Sequence, residues 1–201
     1  MIDNIYFVLA LTIALMVLDY VWTLKGFQLY QQKYSQYVKS AIYEANPTFQ
    51  KSIHGQQYNF RHLLGIIASV VVLYSIYYLD KRMNIFGVNG NGFVTGAAAV
   101  IIQLVFVNAL HLKNILLFKK INFHPDWLSG QLEQKYQFGY FNLKNEARTV
   151  LLIFSAVFVL QPSYLLFGVL LGLFVFLLQT DQWKKKYEKN KSAESPQTKN
   201  I

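Results

Sequence analysis

The side chains best equipped for chemistry are scattered along an otherwise apolar chain: Asp19, Thr23, Glu44, Arg61, His62, His111 and Asn114. Asp19 and Thr23 are four residues apart, so a helix puts a carboxylate and a hydroxyl on one face, where they can share a ligand. Gln103, Val107, His111 and Asn114 recur at helical spacing and form a second polar face, with Asn108 beside it. Asp19, Glu44, His62 and His111 are donor types that suit a divalent metal (zinc, manganese or ferrous iron), and such a site could activate water for hydrolysis. The spacing itself carries no metal signature: there is no His-Glu-x-x-His and no histidine pair at i, i+4. Arg61 and Lys113 are candidates for the phosphate of an anionic lipid headgroup. Plainer roles compete with these: an ion pair of Asp19 with Arg61 or Lys113, a headgroup-level His62, and a Lys113 that snorkels to the interface.

What must position these residues is a set of apolar runs too long for a soluble domain: Ile5–Leu24, Leu63–Leu79, Phe93–Leu112 and Thr149–Thr180. A helix needs roughly 20 apolar residues to cross the hydrocarbon core. The last run holds 32 residues without a charge and is interrupted by Gln161-Pro162-Ser163. Proline removes an N–H and turns the preceding residue away from helix, so the run reads as a hairpin of two helices. The expected fold is all-α: a polytopic transmembrane helical bundle of five spans, at about 4–26, 62–79, 92–118, 142–161 and 163–183.

Positive charge supports that threading. With five spans, sixteen of the nineteen Lys and Arg residues fall on one side, in the 27–61 and 119–148 loops, at Lys25 and in the tail. Lys81 and Arg82 lie opposite, and Lys113 lies within the third span. Cationic loops are retained in the cytoplasm, which places the N-terminus outside and the C-terminus inside a multi-pass cell-membrane protein. The net charge of +9 then faces anionic lipids of the bilayer rather than nucleic acid. The absence of cysteine excludes disulfides, thiolate metal sites and cysteine nucleophiles. Met1-Ile2-Asp3-Asn4 has no basic region, so the first run reads as a retained span.

Residues 1–183 are expected to form one transmembrane domain, followed by a basic, disordered cytoplasmic tail over 184–201. Tyr30, Tyr34, Tyr37 and Ala41 continue the first helix beyond the membrane, until Asn46-Pro47 caps and starts a short helix toward Ser52 or His54. Residues 87–92 are Gly/Asn-rich and read as an external turn. Gly92, Gly96, Ala97, Ala98 and Ala99 let the third span approach a neighbour closely.

Asp19-x-x-x-Thr23 followed by Glu44-Ala45-Asn46-Pro47 resembles a loose family of small polytopic membrane proteins with an Asp…Thr…Glu-x-Asn-Pro signature. The likeness covers about the first quarter of the chain and implies no activity. His111-Leu112-Lys113-Asn114 is similar to the second His…Asn element of intramembrane CAAX-type proteases, but their Glu-Glu pair is reduced here to Glu44 alone. The expected function is a polar ligand site at the cytoplasmic end of the bundle, for a metal or an anionic headgroup, with or without hydrolysis. A small proton- or ion-coupled transporter, which a homo-oligomer of this chain could form, is one alternative. A scaffold whose 27–60 segment binds a cytoplasmic protein is another.

Overall fold

The computed structural model describes residues 4–40, 49, 52–53, 55, 59–83, 91–127, 129–134 and 136–194. Five long helices dominate the described residues: α1 (Ile5–Leu29), α2 (Phe60–Met83), α3 (Asn91–Phe123), α4 (Tyr136–Leu160) and α5 (Tyr164–Glu194). Four segments are long and apolar enough to cross a membrane: Ile5–Tyr37, Phe60–Arg82, Asn91–Phe123 and Tyr164–Lys191. α4 is 25 residues, about 37 Å at 1.5 Å per residue, but Lys144, Glu146 and Arg148 lie in its first half. Its apolar half turns outward, with Leu152, Val159 and Leu160 at 71%, 77% and 85% exposure. Outward faces this apolar are suited to lipid rather than water.

Local chemistry explains where the helices start and stop. Asn4 caps α1, its Oδ1 accepting from the Tyr6 and Phe7 N–H groups at 3.0 and 3.3 Å. Asp80, near the end of α2, caps α3: its buried carboxylate Oδ2 accepts from the Phe93 N–H at 2.9 Å, where the helix dipole favours negative charge. The proline break falls between α4 and α5, and Ser163 Oγ accepts from the Leu166 N–H at 3.2 Å to cap α5.

α3 is the spine of the bundle. α1 runs parallel to it, since the Asn108 amide donates to the Leu15 carbonyl at 3.0 Å and the Asn122 amide to the Leu29 carbonyl at 2.9 Å. α5 also runs parallel to α3. Thr95 Oγ1 donates to the Tyr164 carbonyl at 3.2 Å near the start of both helices, and the Phe106 and Phe176 rings meet at 5.3 Å further along. The small residues of α3 do receive a close neighbour: Gly168 and Gly172 of α5 lie against Thr95 and Ala99, with backbone approach as in small-xxx-small packing. Ala98, Phe106, Ala147, Val169, Leu173 and Phe176 pack as the core around this seam. α4 returns antiparallel along α5, tied by Lys144 Nζ to Asp181 Oδ1 at 2.7 Å.

Three features depart from expectation. The first helix ends at Tyr37 after a π-helical turn at Tyr30–Tyr34, short of Pro47. Val38–Ser40 (β1) instead pairs in parallel with Leu132–Gln134 (β2), and the Tyr30 hydroxyl donates to the Val38 carbonyl at 3.0 Å. A ladder to a segment more than ninety residues away competes with helix here, and periodicity along one segment cannot reveal it. The third departure is at the C-terminus, where α5 continues to Glu194 although disorder was expected from Lys184. Lys184–Glu194 contains no Gly or Pro and is rich in Lys and Glu, which keep helix propensity despite their charge. The expected Asn46-Pro47 helix start and the 87–90 part of the external turn lie outside the described residues.

Candidate functional site

α1 and α3 bring Asp19, Thr23 and His111 together at a single ring nitrogen. His111 Nε2 is 3.0 Å from Thr23 Oγ1 and 3.0 Å from Asp19 Oδ1. Thr23 commits its one hydroxyl hydrogen to the Asp19 backbone carbonyl, at 2.7 Å. While that hydrogen is so committed, the oxygen can only accept from the imidazole, which the tautomer with hydrogen on Nε2 allows. Asp19 Oδ1 accepts no well-aligned hydrogen bond, so its contact with the ring is electrostatic rather than directional. The imidazole and carboxylate are 17% and 28% exposed, so both are largely enclosed.

This arrangement is not a nucleophilic triad. A triad places its acid on one imidazole nitrogen and its nucleophile on the other. Here both partners approach Nε2, and the Thr23 hydrogen points to a carbonyl. What the geometry can do is set a carboxylate and an imidazole side by side and offer both to a bound molecule.

The three residues stand on the wall of a cavity of about 450 Å³. His62 and Asn114 also line it, so five of the seven residues singled out by type and spacing converge. His62 is 8% exposed, and its Nε2 has no hydrogen-bond partner among the described residues. Its ring lies against those of Tyr20 and Phe49, with centroids at 4.7 and 6.3 Å. Asn59 sets the start of α2 beneath it: Asn59 Nδ2 donates to Ser52 Oγ at 2.8 Å, and Asn59 Oδ1 accepts from the Arg61 N–H at 2.9 Å. Ile53 packs with Tyr20 and Phe27 of α1, and the Asn59 N–H donates to the Tyr20 hydroxyl at 3.2 Å.

Arg61 is exposed and does not line the cavity, and Glu44 lies outside the described residues. Lys113 does line it but is bound to Glu146 of α4. Glu146 is not singled out by type and spacing; its signal is an acid set between Lys144 and Arg148 at the start of a span, where the flanking cations dominate the pattern. Gln179 and Trp183 of α5 and Tyr30, Tyr34, Phe118 and Tyr140 complete a wall that is partly polar and strongly aromatic.

The metal reading of Asp19, Glu44, His62 and His111 finds no support. Among the described residues, no group of three or more His, Cys, Asp or Glu side chains could hold a metal ion. Asp19 and His111 engage each other, and the His62 ring packs against that of Tyr20.

Four helices with the length and composition of membrane spans support a membrane protein of the α-helical class. Compared with known proteins, the chain matches no family model, no curated protein and no solved structure.

Proposed function

We propose that this chain is a five-span protein of the cell membrane that binds a small amphipathic molecule in the cavity at the Lys/Arg-rich end of its bundle. The observation that carries the reading is the meeting of Asp19, Thr23 and His111 on the wall of a 450 Å³ cavity that His62 also lines. Ligand pockets of this kind are apolar cavities of roughly 300–1,000 Å³ with a few convergent polar groups. The aromatic wall would take the body of the ligand, and the carboxylate and imidazoles its hydrogen-bonding end. A neutral or cationic end fits better than an anionic headgroup, because Lys113 is neutralised by Glu146 and Arg61 stands outside.

Five spans are supported by helix direction. α4 begins just after β2, at the end of the bundle where α3 finishes, and ends beside the start of α5, near Thr95 at the opposite end of α3. If α3 crosses the membrane, α4 traverses the same thickness. The cavity then lies toward the cytoplasmic side, by the charge rule. The carboxylate–imidazole pair also favours a second reading, a proton-coupled transporter, in which the pair changes protonation as the ligand moves.

The test is what the protein carries. Solvent extracts of the purified full chain, compared by mass spectrometry with those of Asp19→Asn and His111→Phe, should contain a small molecule that falls at least tenfold in both variants. Identical extracts from all three proteins would contradict the binding site. Ligand-dependent proton flux in liposomes, lost in Asp19→Asn, would select the transporter.

A further inference from the structure

A second recess lies between α4 and α5, lined by Phe138, Phe141, Lys144, Arg148, Asp181 and Lys184, among others. Three cations there face one carboxylate. Lys144 is held by Asp181 at 2.7 Å, whereas Arg148 and Lys184 form no ion pair among the described residues. The recess therefore keeps an excess of two positive charges. Phe138 and Phe141 beside it are 52% and 57% exposed, as aromatic side chains are at a membrane–water boundary.

The surface below the charges is apolar on both helices. Leu152 lies one turn beyond Arg148 on the same face of α4, and Leu178 and Phe174 precede Asp181 at three and seven residues on α5. They are 71%, 49% and 53% exposed. A guanidinium and an ammonium thus stand at the head of an exposed apolar track. A guanidinium presents a planar fork that matches phosphate oxygens, and an ammonium adds a point charge.

We infer that this recess is a binding site for an anionic phospholipid, with Arg148 and Lys184 on its phosphate, Lys144–Asp181 as the fixed floor and the acyl chains along Leu152, Phe174 and Leu178. The inference rests on α4 and α5 being embedded in the bilayer and is independent of what fills the central cavity.

The test uses the full chain in neutral detergent micelles, titrated with phosphatidylglycerol or phosphatidylcholine and read by native mass spectrometry. Phosphatidylglycerol should be retained at least tenfold more tightly than phosphatidylcholine. Arg148→Gln with Lys184→Gln should abolish the preference. Lys189→Gln with Lys191→Gln, which removes the same charge outside the recess, should keep it. Equal retention of both lipids by the wild type, or equal loss in the two double variants, would overturn the site. So would displacement by glycerol phosphate alone, which would mean an anion site without acyl contacts. A failure of α4 to cross the membrane would show separately, in the labelling of its two ends.

Discussion

Gly172→Leu should unfold the bundle more readily than any substitution at its surface. A Cβ at this position would stand 2.3 Å from the Ala99 carbonyl oxygen and 2.6 Å from Ile102 Cγ2. The first obstacle is backbone, which cannot rotate away as a side chain can, so α3 and α5 must separate. That separation loosens the contacts of Leu173 and Phe176 with Ala98 and Phe106. Overpacking costs about 1–3 kcal/mol where side chains can adjust, and the upper end is expected here, about 3 kcal/mol. For a chain of this size that lowers the melting temperature by about 10 °C. Gly139→Ala is the control, because its Cβ would meet nothing within 4 Å and alanine is favoured in a helix by about 1 kcal/mol. Thermal unfolding in detergent should thus move in opposite directions for the two variants. Equal stability would mean that α3 and α5 do not approach as closely as described.

The second large effect is expected at the polar junction of α1 and α3. His111→Ala removes the group facing both Asp19 and Thr23 and leaves a mostly enclosed carboxylate without that neighbour. Breaking a fully buried pair costs about 3–5 kcal/mol, and Asp19 is 28% exposed, so about 2 kcal/mol is expected. Asp19→Asn removes the charge while keeping the shape and should cost about 1 kcal/mol or less. In the double variant the carboxylate that made His111→Ala costly is gone. The cycle should show a coupling of about 1 kcal/mol between the two sites. Unfolding in mixed micelles measures it, and additivity within about 0.3 kcal/mol would mean that the pair contributes no coupling.

Much of this architecture was legible because it rests on local pattern. Uninterrupted apolar runs marked the helices, and Pro162 marked the turn between the last two. Asp19 and Thr23 fell on one face by helical spacing, as did Gln103, His111 and Asn114, and these five all line the cavity. What stayed hidden depends on partners distant in sequence. The β1–β2 ladder joins two three-residue strands from different loops, too short to show a period. Gly168 and Gly172 lie four apart in α5, but their meaning depends on which helix faces them. His62 had the right donor type for a metal, yet its ring packs against aromatic neighbours that no spacing rule brings to it. Lys113 was available for an ion pair, but Glu146 rather than Asp19 supplies it.

The central claim is that α4 crosses the membrane, so that the last apolar run doubles back and the cavity opens at the cation-rich end. The chain contains no cysteine, so single cysteines report position without background. Ser129→Cys, Gln161→Cys and Asn190→Cys mark the start of α4, its far end and the end of α5. With a membrane-impermeant thiol reagent, Gln161→Cys should be labelled on intact cells. Ser129→Cys and Asn190→Cys should be labelled only after the membrane is opened. Labelling of Ser129→Cys and Gln161→Cys from the same face would contradict the five-span bundle and the cytoplasmic placement of its cavity.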